Sequence, residues 1–193
     1  MRINFKNIIT AAIILVFSVS CSNGESKKTQ IKEASTIVEN EQIVKNPNSE
    51  VLEITKVNHA TFNSLLNKYV NNKGLVNYAG LSKEKSTLQN YLVGLAKVDA
   101  SKLTKNEATA YWINAYNAAT LDQIIRNYPI TSILKIAGGK VFDNPLPYKF
   151  NGESLSLNDI EKKKLLGSSL FDARVHFAVN CAAVSCPTLL NKA

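Results

Sequence analysis

Apolar residues along the chain recur at helical spacing in three stretches, at alternating spacing in one, and near the start in a run interrupted only by small polar residues. In "VNHATFNSLLNKYV", His59, Phe62, Leu66 and Tyr69 fall on one helical face, so the pattern predicts an amphipathic helix over 57–70. Gly74 then stops the helix, and Leu75, Asn77 and Ala79 alternate as a short extended piece or turn. Helical spacing returns over 86–98 through Leu88, Tyr91, Leu92 and Leu95.

The next helix is the clearest element. Thr104 and Glu107 form a T-x-x-E capping box, and the periodic pattern runs on until Pro129 forbids another turn. Trp112, Ala115, Tyr116 and Ala119 take one side, while Ile113, Leu121, Ile124 and Tyr128 take the other. A helix apolar nearly all round is a buried one, predicted here over 104–127. Asn114 and Asn117 are carried into the interior with it. A buried amide without partners costs on the order of 1 to 3 kcal/mol, so each needs hydrogen bonds. Holding loop backbone is the simpler role for them, and binding or catalysis the sharper one.

Beyond Pro129 the pattern shortens into a helix-like turn, a Gly138-Gly139 break, and β-like pieces around Val141 and over 148–150, followed by the turn signal Asn151-Gly152. Ser156 caps a short helix with Asp159 in its first turn and Lys162 to Lys164 at its cationic end. In "RVHFAVNC", Val175, Phe177 and Val179 alternate with His176, Ala178 and Asn180, which predicts a strand with the first set inward. These elements predict a single α+β domain over 51–193, its buried central helix packed against a small β-sheet that includes the strand over 175–179.

An apolar run interrupted only by small polar residues, Ile8 to Val19, follows basic Arg2 and Lys6 and ends at "FSVSC". It is shorter than a bilayer-spanning helix and reads as a signal peptide over 1–20, with Cys21 as the lipid-acylated first residue of the mature chain. The expected localisation is the bacterial cell envelope, on an extracytoplasmic face. Residues 21–50 are too polar to close a core and read as a tether. Removal of 1–20 takes Arg2 and Lys6 and leaves 21 basic against 15 acidic residues, a balance of +6. That excess is scattered and fits a solvated surface; export, with no interleaved basic and aromatic patch, argues against nucleic acid as a partner. The expected partners are the membrane, through the lipid, and an envelope peptide or polymer. No cofactor motif is present.

Of three cysteines, lipidation of Cys21 leaves Cys181 and Cys186 in an oxidising compartment, where a disulfide competes with thiol chemistry. On a regular strand His176 and Cys181 would face opposite ways, roughly 16 Å apart, so a thiol and its base meet only if the chain folds back near Asn180. The cysteines can join only if "CAAVSC" is a loop. One reading makes Cys181 a nucleophile, His176 its base and Glu161 or Asn117 the group that orients it, in a cysteine-dependent hydrolase or acyltransferase. Another makes the molecule a non-catalytic binding module with a structural His/Asn/Cys network. A metal site through His176 and the cysteines lacks a spaced fourth ligand.

Four motifs in order, "KYVNNKGLVNYAGL" (Lys68 to Leu81), "YWINAYNAATL" (Tyr111 to Leu121), "LSLNDIE" (Leu155 to Glu161) and "DARVHFAVNCAAVSCP" (Asp172 to Pro187), resemble the family called domain of unknown function 547. The resemblance runs from about Val57 to the end and implies no established activity. Two departures stand out. Lys162 and Leu166 occupy positions where the family commonly has His and Arg, and the chain stops at Ala193, where the family domain usually continues, so the resemblance implies a missing C-terminal part.

Overall fold

Four helices make up most of the order in the computed structural model, which describes residues 57–193 apart from Val184. The expected signal peptide over 1–20, the lipid site Cys21 and the tether over 21–50 lie outside the described residues. α1 (Ala60–Tyr69) buries Phe62, Leu65 and Leu66, and a short helix α2 (Tyr78–Leu81) follows, capped by the Asn77 side chain on the Gly80 amide. α3 (Lys85–Ala96) buries Leu88, Tyr91, Leu92 and Leu95, the four positions that its period predicts. α4 (Lys105–Arg126) is the central helix, opened by the complete Thr104/Glu107 capping box. It packs against α3 on one side and against the segment over 157–166 on the other.

Burial explains the all-round apolar pattern of α4. Tyr111, Ala115, Tyr116, Ala118, Ala119, Leu121 and Ile125 are all within the main core, with Ile124 in a smaller cluster around Ile133, Ile136 and Val141. Each fully buried large apolar side chain contributes roughly 1.5 to 3 kcal/mol, enough in sum to outweigh the ordering of a 22-residue helix only because both faces are covered. Aromatic pairs tie the layers together: Phe62 stacks on Tyr91 at 5.1 Å, and Trp112 meets Phe150 edge-on at 6.2 Å.

The sheet is smaller than its neighbours. β1 (Lys149–Phe150) pairs antiparallel with β2 (Glu153–Ser154) across the Asn151-Gly152 turn, whose two positive φ values are those of a tight hairpin. The fold is therefore α+β, as the pattern predicts. α5 (Leu157–Asp159) carries the Ser156/Asp159 capping box and continues as a π-helical stretch over 160–166 that buries Ile160 and Leu165.

Two β expectations are corrected. Val141 is buried in a turn and not in a strand. The strand over 175–179 is instead a 3-10 helix, Ala173–Phe177, started by the Asp172 carboxylate accepting from the Arg174 amide at 2.9 Å. Val175 and Val179 are buried, but Phe177 is 77 % exposed. The inward residues are thus spaced by four, a helical interval, and the alternation came from one outward phenylalanine.

His59 precedes α1, where its Nδ1 lies 2.6 Å from the Tyr91 hydroxyl. Burial lowers the imidazole from 6.5 to about 4, so the folded protein holds it neutral. The unfolded chain takes up a proton at about 6.5. This group's contribution is therefore intact above pH 6.5 and is lost as the pH falls toward 4. Asp159 and Asp172, held at about 2 by hydrogen bonds from Lys163 and Arg174, act in a lower window, below their ordinary 3.8. His59→Gln is expected to flatten the loss of stability between pH 6.5 and 4, measured by urea midpoints; an unchanged slope would refute this account.

Candidate functional site

The C-terminal segment is held on α4 by one amide. Asn117 Nδ2 donates to the Ala178 carbonyl at 2.9 Å, and its Oδ1 accepts from the Asn180 amide at 2.9 Å. Donor and acceptor are both spent on backbone, as a 6 % exposed amide requires. Asn114, one turn earlier, is as buried, and its side chain makes no hydrogen bond among the described residues.

The same segment brings His176 toward Glu161. Their Nδ1 and Oε1 atoms are 3.8 Å apart, an ion-pair distance when the ring is protonated and too long for a hydrogen bond. Burial first, then the negative charge of nearby Glu161, push the phenol of buried Tyr116 above its ordinary range. The His176 side chain is 59 % exposed. Beside this cluster, Lys162 is exposed and Leu166 packs against the core.

Cys181 and Cys186 form a disulfide, with Cα atoms 6.1 Å apart. The loop is closed by Asn180, whose Oδ1 accepts from the Ala182 amide at 2.8 Å and whose Nδ2 donates to the Pro187 carbonyl at 2.6 Å. The Cys181 amide also points at the Cys186 sulfur, at 3.2 Å. Cys181 therefore sits in a turn and not at a helix N-terminus. A bridged sulfur has no thiolate, and no hydrogen bond links His176 to either cysteine among the described residues. Of the residues singled out in the sequence, His176 and Glu161 come together, Asn117 joins the loop that holds the cysteines, and Asn114 stands alone.

A second polar cluster escaped the sequence reading. Asp122 is fully buried, yet it accepts from Gln89 at 3.0 Å, from Arg126 at 2.6 Å and from the Tyr148 hydroxyl at 2.8 Å. Arg126 also donates to the Tyr148 oxygen and lies over its ring at 5.7 Å. The i,i+4 spacing of Asp122 and Arg126 was the available signal. Its partners from α3 and β1's approach had none.

No curated protein and no solved structure matches the chain. Three of the four sequence motifs, those of α4, of α5 and of the disulfide segment, lie inside one family match; Lys68 to Leu81 precedes it. Residues 100–191 match the model of the family described as "Protein of unknown function, DUF547", the family that those motifs resemble.

Proposed function

We propose that the protein is a lipid-anchored, extracytoplasmic binding module, in which Asn117 and the Cys181–Cys186 bridge serve to hold the C-terminal segment. The observation that carries this reading is the bridge itself, since a sulfur engaged in a disulfide cannot attack a carbonyl. Engagement of both ends of the Asn117 amide by backbone supports the same view. The signal-like run ending at Cys21 supplies the anchor and the oxidising compartment in which such a bridge persists. The approach of His176 to Glu161 favours a second reading, a cysteine-dependent hydrolase in which reduction frees Cys181.

Alkylation with iodoacetamide, read by mass spectrometry with and without reductant, separates the two. The binding module predicts that neither Cys181 nor Cys186 reacts before reduction and that the chain is two hydrogens lighter. Rapid, selective labelling of Cys181 without reductant, slowed by His176→Ala, would sink it. In the same preparation, Cys21→Ala should leave the membrane fraction; wild-type protein free of lipid and equally soluble would refute the anchor.

A further inference from the structure

A cleft of about 550 Å³ opens where α1 ends, and half of its lining is asparagine: Asn67, Asn71, Asn72, Asn77 and Asn191, beside Tyr69. We propose that this cleft binds a neutral carbohydrate, which deepens the binding-module reading and rests on it.

Several of these side chains are fixed before any ligand arrives. The Asn71 oxygen accepts from the Lys73 and Leu75 amides at 2.9 and 3.0 Å, and the Asn77 oxygen accepts from the Gly80 amide at 2.9 Å. Both therefore leave their NH₂ groups as the free donors. Asn67 is the converse: its NH₂ donates to the Asn63 carbonyl at 2.9 Å, which leaves its oxygen as an acceptor. Asn72 and Asn191 make no side-chain hydrogen bond among the described residues and offer both. Such a mixed array of donors and acceptors matches hydroxyl groups, which both donate and accept.

Two glycines shape the cleft. A Cβ at Gly80 would come within 2.7 Å of the Tyr69 ring and 3.0 Å of the Asn77 nitrogen, so glycine lets both lie against the backbone. Gly74, at φ +71, would carry a Cβ into Thr188 and within 3.1 Å of the Leu189 backbone. Its bareness lets the segment that bears Asn191 close against the turn. The Tyr69 hydroxyl reaches Glu84 at 3.3 Å, which fixes the ring, and Leu75, 64 % exposed, adds an apolar surface for the C–H face of a sugar.

Charge excludes other ligands. The single ionisable cation in the lining, Lys68, is paired with Glu84 at 2.9 Å. The C-terminal end of α1 carries partial negative charge and repels anions, while no carboxylate among the described residues lines the cleft to hold a cation. An apolar ligand would strand the amides without partners.

Saturation-transfer NMR with maltotriose, cellotriose and triacetylchitotriose on the detergent-solubilised full chain tests the proposal. At least one trisaccharide is expected to bind, about tenfold or more weaker in the Asn72→Ala, Asn191→Ala double variant, which removes no hydrogen bond from the fold. Gly74→Ala, if folded, should weaken binding as well. Absence of binding by all three, or equal binding by the double variant, overturns the carbohydrate site. Selective alkylation of Cys181 without reductant would instead sink the binding-module reading, so the two failures are distinguishable.

Discussion

Asp122→Ala is expected to lower stability by about 3 kcal/mol, the lower end of what breaking a buried ion pair costs when one partner is removed. The lower end applies because the Arg126 side chain is one-third exposed and can turn to solvent once its carboxylate is gone. The buried Tyr148 hydroxyl has no such freedom and loses its acceptor inside the fold, and half-buried Gln89 loses its own. For a domain of this size the melting temperature should drop by on the order of 10 °C. Tyr148→Phe removes one hydroxyl and leaves Asp122 two donors, so it should cost nearer 1 kcal/mol. The urea midpoint should fall in that order with the slope unchanged. An Asp122→Ala midpoint within error of the wild type would show that the cluster contributes nothing net.

What makes this cluster costly to disturb also made it hard to read. Asp122 lies on a helix whose pattern says "buried", and Arg126 one turn on suggests a surface pair. Gln89 is 33 residues away and Tyr148 is 26, and nothing local announces that they converge. α4 itself was legible for the opposite reason: its cap, its period and its stop all lie within the segment, and each agrees with the others. The burial of Asn114 and Asn117 followed from phase alone, whereas the partners of Asn117 did not, and Asn114 makes no side-chain hydrogen bond among the described residues.

The segment over 172–180 shows where short patterns fail. Three alternating apolar residues satisfy a strand, and two of them also satisfy a helical turn. The decision rests on Asp172, which caps the Arg174 amide, and on the core, which receives Val175 and Val179 but leaves Phe177 outside. The disulfide was legible as a condition, that the cysteines could join only across a loop. Asn180 closes that loop from both sides, at Ala182 and at Pro187. In the cleft beside α1, the asparagines were visible in the sequence, but their grouping with Asn191 depends on a long-range approach at Gly74.

Asn117→Ala should be the second large effect, about 2 to 4 kcal/mol, because it strips partners from two backbone groups at once, the Ala178 carbonyl and the Asn180 amide. The substitution works against itself slightly, since alanine favours the helix by about half a kcal/mol over asparagine. The helix should therefore keep its dichroism while the attached segment loosens. Hydrogen exchange should report the loss at Asn180, whose amide bonds to the Asn117 oxygen, and spare the middle of α4. The bridge, closing a loop of only a few residues, contributes about 2 kcal/mol by itself, so it limits but does not replace the clamp. Asn117→Asp sharpens the test. Its carboxylate still accepts from the Asn180 amide but turns a second oxygen on the Ala178 carbonyl, so it should destabilise nearly as much as alanine does while retaining more protection at Asn180. If the Asn180 amide exchanges no faster in Asn117→Ala than in the wild type, the segment is held by the buried Val175 and Val179 alone and the amide clamp is refuted.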